Sequence, residues 1–323
     1  MTSAALDEAG AADFQSGVRR ITDAVNGFMQ GKAEVVDLAM ICLLAEGHLL
    51  LEDVPGVGKT SLARSLASAL GTPWNRIQFT PDLLPSDVTG VSVFHSDSNT
   101  FVFHPGPIFA NVVLADEVNR ASPRTQSALL EVMEERQVTV DGDAYLAPRP
   151  FLVIATQNPV EMDGTYPLPE AQLDRFLIKT TVGYPDPAAE ERVLKAAHTG
   201  RGLDTVPKVS SQAEVAALVE AAGRVHVSDE VFGYIVALVG HTRSMSQLRL
   251  GASPRGALGL LRASRVRAAL DGRTYVVPGD VQALAGPVLG HRVLLSPSFE
   301  AQGGTSEDAV REAVEAVPAP PVR

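Results

Sequence analysis

LLLEDVPGVGKTS, at residues 49–61, is the stretch of sequence that decides the fold. The leucines predict a buried strand, the Pro-Gly-Val-Gly segment predicts a tight loop, and the Lys-Thr-Ser segment begins a helix. Glycine tolerates positive φ, so the backbone N–H groups of such a loop can turn inward and form a concave cradle for an anion. A strand, a Gly-rich loop and a helix N-terminus in this order are typical of a site for nucleotide phosphates.

The loop residues are expected to hold the phosphates of a nucleoside triphosphate. Lys59 would reach the β- and γ-phosphates, and Thr60 would offer its hydroxyl oxygen to Mg²⁺ at the positive end of the helix. Asp53 stands where the general P-loop pattern has glycine, so its carboxylate and that of Glu52 should point away from the phosphates. The alternative is a Gly-rich turn with no ligand. The expected nucleotide-binding residues are Pro55, Gly56, Val57, Gly58, Lys59, Thr60 and Ser61.

A second nucleotide signal lies at residues 112–117, where a continuous apolar run ends in two acids. The run at 112–115 predicts a parallel strand that is buried on both faces. Asp116 would hold Mg²⁺, and Glu117 would orient or deprotonate the attacking water. Two acids at a strand end also occur without this role, so the assignment depends on the phosphate loop that precedes them.

Three more polar residues are candidates for contact with the nucleotide. Asn158 follows an apolar strand predicted at 151–155 and could reach the γ-phosphate or the attacking water; its alternative role is to cap the turn before Pro159. Arg175 could pair within its own subunit or project onto the γ-phosphate of a neighbour. Arg255 lies at the positive start of a helix, where a bound anion explains an arginine better than helix stability does. A plain surface arginine is the alternative there.

Composition narrows the class of protein. The chain has 323 residues, of which 45% are hydrophobic and 20% charged, which is typical of a globular protein with room for two domains. A net charge of −11 and an aromatic share of 5% oppose a broad DNA-binding surface. The lone Cys42 cannot form an internal disulfide, and neither a secretory signal nor a membrane span is expected. We therefore expect a cytoplasmic protein.

The order of predicted elements indicates an α/β fold. Residues 1–186 are expected to form a nucleotide-binding domain with a parallel sheet flanked by helices, and it contains a β-hairpin insertion at about 91–103. After residue 186 the pattern predicts only helices, so we expect a small all-α lid domain at 187–302. Residues 303–323 are expected to form a short helix and a disordered tail.

The motifs together resemble those of the MoxR family of AAA+ ATPases over nearly the full chain. The segment DVPGVGKT is similar to the family's phosphate loop, and LADEVNRASPRTQSALLEVMEE is similar to its Walker B strand and the following helix. By the same resemblance, Asn158 in ATQNP corresponds to the sensor 1 asparagine, Arg175 in LDRF to the arginine finger and Arg255 in GASPRG to the sensor 2 arginine. The hairpin resembles the helix-2 insertion shared with magnesium-chelatase subunits and replicative helicases.

The resemblance implies ATP and Mg²⁺ as ligands, a homo-oligomeric, hexameric ring and remodelling of protein clients. It also implies a separate partner protein with a von Willebrand factor A domain. On this hypothesis, hydrolysis uses Lys59, Thr60, Asp116 and Glu117 of one subunit with Arg175 of the next, and Arg255 couples its own subunit's nucleotide to the lid. Two alternatives are a nucleotide-gated scaffold that needs no turnover and a chelatase-like or DNA-directed motor, although the acidic net charge of the chain opposes nucleic acid as a ligand.

Overall fold

The structure is a computed structural model and describes residues 5–158, 165–198 and 206–321. In chain order the strands are β1 (Leu49–Glu52), β2 (Trp74–Gln78), β3 (Gly90–His95), β4 (Thr100–Pro105), β5 (Val112–Asp116), β6 (Gln137–Val140), β7 (Asp143–Leu146), β8 (Leu152–Gln157), β9 (Ile178–Thr180), β10 (Leu248–Leu250) and β11 (Leu294–Leu295). The helices are α1 (Glu8–Asn26), α2 (Ala33–Leu44), α3 (Lys59–Leu70), α4 (Pro85–Thr89), α5 (Pro123–Glu135), α6 (Glu170–Leu173), α7 (Pro187–His198), α8 (Gln212–Gly223), α9 (Asp229–Thr242), α10 (Pro254–Leu270), α11 (Pro278–Leu289), α12 (Pro297–Ala301) and α13 (Ser306–Ala316).

A five-stranded parallel sheet with the order β2-β5-β8-β1-β9 forms the centre of the molecule. The three inner strands β5, β8 and β1 are largely apolar and buried because helices cover both faces of the sheet. In β1, Leu49 and Leu51 pack into one core cluster with α1, α2 and α3, whereas Leu50 packs into a second cluster with Phe79 and Phe176. The parallel register brings the carboxyl ends of β1, β5 and β8 to the same edge, as the predicted α/β fold requires.

The helices after β9 do not stand apart from the sheet. Helices α8 and α10 pack against α1 and α2, and their buried side chains belong to the same core cluster as β1. Helix α13 packs against α11 and α9 through the buried residues Ala309, Val310 and Ala313. The short antiparallel ladder of β10 and β11 lies among these helices, where the sequence pattern predicted helices alone. The division into domains at residue 186 stays a prediction.

Two β-hairpins extend from the nucleotide-binding half. The first pairs β3 with β4 and places Phe94 opposite Phe101. The second pairs β6 with β7 and was missed by the sequence analysis, although its Asp141-Gly142 turn is a strong hairpin signal. Both turn residues have positive φ, as a type I′ turn requires. Within the part of the chain that the structure describes, no helix is long and apolar enough to cross a membrane.

His48 ties the start of β1 to two neighbouring elements. Its Nε2 donates to the carbonyl oxygen of Met133 and its Nδ1 accepts from the amide of Val153, each at 3.0 Å. These bonds require the neutral ring with its proton on Nε2. Burial, the largest cause, lowers the pKa of His48 to about 4.

Stability is expected to fall as the pH drops below about 6.5, because unfolded His48 then binds a proton that the folded ring does not. Between about pH 7.5 and about pH 5 this linkage removes about 2 kcal/mol from the free energy of unfolding. His48→Gln lacks the titrating group, so urea titrations should show a correspondingly smaller loss for the variant over this range. Parallel pH profiles for the variant and the wild type would contradict the prediction.

Candidate functional site

The phosphate loop has the backbone geometry that an anion cradle needs. Gly56 and Gly58 have φ of +87° and +102°, in the region that glycine tolerates, and helix α3 begins immediately afterwards at Lys59. The space around the Cα of Gly56 is open, since a Cβ added there would meet no heavy atom within 4 Å. The helix N-terminus and the loop N–H groups therefore form a concave, positively polarised surface that fits a phosphate.

The first residues of the loop turn their carboxylates away from it. Oδ2 of Asp53 accepts hydrogen bonds from the amides of Val182 and Gly183, both at 2.7 Å. Glu52 forms an ion pair with Lys179 and accepts from the side-chain amide of Gln157 at 2.6 Å. This confirms the expectation for both acids, and it explains how a carboxylate at position 53 is compatible with a phosphate site.

The predicted acids lie at the carboxyl end of β5, on the edge of the sheet that carries the phosphate loop. Oδ1 of Asp116 accepts from the hydroxyl of Thr156 at 2.6 Å, and the same hydroxyl oxygen accepts from the amide of Glu117 at 2.9 Å. Glu117 has a φ of +58°, so the chain turns sharply between the two acids. Thr156 therefore fixes both acids, a role that the sequence analysis did not assign to it.

Strand β2, which was not predicted, supplies two further contacts to these acids. Arg76 donates to Oδ2 of Asp116 through Nη2 at 2.7 Å, and Gln78 donates to Oε2 of Glu117 at 2.9 Å. The strand was missed because it is an edge strand with mainly polar residues and little apolar periodicity.

The donor set at this edge fits Mg·ATP. Thr60 and Asp116 offer the hard oxygen ligands that Mg²⁺ prefers. Lys59 is buried, and its Nζ donates to the backbone carbonyl oxygen of Asp53 at 2.8 Å. Asn158 is also buried, and it follows Gln157, whose carbonyl oxygen accepts from the Asp53 amide at 3.1 Å. Asn158 thus lies beside the start of the loop, while Pro159 lies outside the described residues.

The two predicted arginines, Arg175 and Arg255, lie close to each other but away from the phosphate loop of the same chain. Nε of Arg175 is 3.1 Å from Oε2 of Glu134, and Arg255 forms an ion pair with the other carboxylate oxygen. Their side chains are 30% and 43% exposed. They line an open cleft that we call the arginine cleft, formed with Glu46, His48, Glu134 and Arg262. Glu134 was not singled out from the sequence, because nothing local distinguishes it from the other acids of α5.

The structure does not place Arg255 beside the phosphate loop of its own chain, and its contact with a nucleotide stays a prediction. The arginine cleft lies at the start of β1, beside His48, whereas the phosphate loop follows the end of β1. The residues from His48 to Asp53 span about 16 Å along the strand at roughly 3.3 Å per residue. The two arginines and their own phosphate loop are therefore at opposite edges of the sheet.

A buried arginine holds the arginine cleft together. Nε of Arg292 donates to Oδ1 of Asp174 at 2.8 Å, and its Nη1 donates to the carbonyl oxygen of Leu177 at 3.1 Å. The other oxygen of Asp174 accepts from the hydroxyl of Ser253 at 2.8 Å. Because Asp174 precedes Arg175 and Ser253 is the N-cap of the helix that carries Arg255, this network sets the relative position of the two arginines.

Thr156→Val is expected to lower ATP turnover by about tenfold to a hundredfold, because valine keeps the shape but cannot hydrogen-bond to either acid. Thr156→Ser, which keeps the hydroxyl, should retain most of the activity. Steady-state phosphate release from both variants checks the prediction. Equal rates for the valine variant and the wild type would show that the hydroxyl does not position the acids.

Comparison with known proteins identifies relatives along nearly the whole chain. Residues 48–178 match the family described as the ATPase family associated with various cellular activities (AAA), and residues 240–313 match the AAA lid domain. The uncharacterized protein YeaC of Bacillus subtilis is 49% identical over 92% of this chain and 92% of its own length.

Two further relatives extend the comparison. The chaperone MoxR1 of Mycobacterium tuberculosis is 40% identical over 92% of this chain and 81% of its own. The crystal structure of a candidate ATPase from Cytophaga hutchinsonii superposes with a TM-score of 0.90 at 36% identity, covering 96% of this chain and 97% of that one. The similarity to MoxR1 across both the sheet and the helical region, together with the match to both AAA families, shows that this protein belongs to the MoxR family of AAA+ ATPases.

Proposed function

We propose that the protein hydrolyses Mg·ATP at sites formed between neighbouring copies of itself. The single observation that carries the proposal is the separation of the arginine cleft from the phosphate loop of the same chain. Each chain has a cradle with two acids at one edge of its sheet and a pair of arginines at the other. A second copy with its arginine cleft against the first copy's cradle would complete the site, as heterologous contacts in a closed ring allow.

Within one subunit, the residues at the carboxyl edge have distinct roles. Lys59 and the loop N–H groups would bind the phosphates, and Thr60 and Asp116 would hold Mg²⁺, which neutralises charge on the transferred phosphoryl group. Glu117 would orient or deprotonate the attacking water from the position set by Thr156 and Gln78. Asn158 would contact the γ-phosphate or that water.

The neighbouring subunit would supply Arg175 and Arg255 as a pair. The ion pairs of both guanidinium groups with one carboxylate support this proposal, because the same groups could bind an anion with several oxygens. A γ-phosphate of the adjacent subunit would replace Glu134 as the anion that these two arginines bind. This revises the expected role of Arg255, which we now assign to the nucleotide of the adjacent subunit along with Arg175.

We extend the proposal to the assembly: the protein forms a hexameric ring that remodels protein clients. The ring acts together with a separate partner protein that has a von Willebrand factor A domain. The family relationship supports this, since a relative of 40% identity is named a chaperone. The exposed aromatic side chains of Phe94 and Phe101 on the first hairpin would suit contact with an unfolding client. Cross-linking at Phe101 during turnover would test that contact.

Mixing two inactive variants is expected to restore ATP turnover if the site is shared. Lys59→Ala removes the phosphate contact and Arg175→Ala removes the neighbour's arginine, and each alone should lose roughly a thousandfold in rate. In mixed assemblies, an intact cradle on one chain can meet an intact arginine cleft on the next. Phosphate release from the mixture should therefore exceed that of either variant, with native mass measurement showing that mixed assemblies form.

A second mixture separates the role of Arg255 from that of Arg175. If both arginines come from the same neighbour, Arg175→Ala mixed with Arg255→Ala leaves every site short of one arginine and stays inactive. If Arg255 acted on its own subunit's nucleotide, this mixture would recover activity. Failure of the first mixture, despite mixed assemblies, would contradict the shared site itself.

A further inference from the structure

Asp53 bonds simultaneously to the phosphate loop and to the segment that leaves the sheet. Its backbone carbonyl oxygen accepts from Nζ of Lys59, and Oδ1 of its carboxylate accepts from the amide of Val54 at 2.9 Å. Its Oδ2 accepts from the amides of Val182 and Gly183 at 2.7 Å. The residue is only 8% exposed, so these bonds are shielded from water. One residue therefore contacts both the phosphate-binding lysine and the chain at 182–183.

Lys32 holds the same segment from its other side. Its Nζ donates to the carbonyl oxygens of Val182, Gly183 and Tyr184 at 2.7, 2.8 and 2.9 Å. The peptide unit between Val182 and Gly183 thus has its N–H on the Asp53 carboxylate and its C=O on the Lys32 ammonium. A negative and a positive group at the two ends of one peptide dipole strengthen both hydrogen bonds.

The segment at 182–184, which we call the hinge, connects the two halves of the chain. It follows β9 at the edge of the sheet and precedes α7, the first of the later helices. Gly183 has a φ of +66°, so the chain changes direction here through a conformation that glycine tolerates. Any change in the hinge alters how the chain enters α7.

We propose that Asp53 is a positioning residue that couples the phosphate loop to the hinge, with Lys32 as its counterpart. The proposal rests on the proposed function, because it requires Lys59 to bind phosphate. When Lys59 moves to a phosphate, the carbonyl of Asp53 loses that donor while its carboxylate still holds the hinge. A glycine at position 53 could form the loop, but it would leave the hinge amides without their acceptor.

The test compares Asp53→Asn and Lys32→Met in the full-length protein. Asparagine keeps the shape of Asp53 but removes the charge, and Lys32→Met perturbs the hinge without touching the loop. Lys195→Met on exposed α7 is the matched control for loss of a lysine. Amide hydrogen exchange of the hinge is measured without nucleotide and with a saturating non-hydrolysable ATP analogue, alongside kcat, KM and the Kd of the analogue.

In the wild type, the analogue should change the exchange of the hinge amides. In both test variants, these amides should exchange faster than in the wild type, and the analogue should not change their exchange. The kcat should fall by about tenfold or more, since small displacements of catalytic groups cost this much, while KM and Kd stay near the wild-type values. The control should match the wild type in every measurement.

Unchanged hinge exchange in Asp53→Asn, or a wild-type kcat in either test variant, would overturn the proposal. Loss of analogue binding in Asp53→Asn with a protected hinge would also overturn it, since Asp53 would then serve the loop alone. If Asp53→Asn does not fold, Lys32→Met decides by the same criteria. A wild-type protein with no ATP turnover would instead refute the proposed function, and hinge exchange would still report on the contacts of Asp53.

Discussion

The burial of β1 is the constraint on which the rest of the structure depends. Its three leucines are inaccessible to solvent and contribute to core clusters on both faces of the sheet. The strand must therefore lie inside the sheet between β8 and β9, with helices on either side. This placement fixes the phosphate loop at one end of the strand and the arginine cleft at the other. The length of a four-residue strand thus sets the distance between the two functional regions.

The two edges of the sheet have complementary chemistry. At the carboxyl edge, backbone N–H groups and Lys59 provide an anion cradle next to two acids that suit a metal ion. At the other edge, arginines share a single carboxylate and remain partly exposed. The guanidinium of Arg76 at the carboxyl edge is held by Asp116, whereas Arg175 and Arg255 lie at the opposite edge from the cradle and metal ligands of their own chain. This separation is the structural reason for proposing that neighbouring copies complete one another. A network through buried Arg292 keeps the arginine edge ordered within each chain.

The sequence was sufficient to predict local geometry that depends on consecutive residues. The loop glycines, the acids after β5 and the capped start of α10 are local patterns, and local patterns determine local geometry. It was insufficient where partners come from distant segments. Glu134, Arg292 and Thr156 acquire their roles only when strands and helices pack, and Arg255 could not be located because its position depends on how α10 meets α5. The hairpin of β6 and β7 had a readable turn that was overlooked.

The two hairpins are joined by an aromatic stack. The ring centroids of Phe103 and Tyr145 lie 4.0 Å apart with an interplanar angle of 28°, although β5, α5 and β6 separate their strands in sequence. This ring contact joins the first hairpin to the second. The second hairpin continues directly from α5. The final turn of α5 carries Glu134, whose carboxylate forms ion pairs with Arg175 and Arg255. The first hairpin is therefore linked, through the ring contact and the second hairpin, to the helix that carries Glu134.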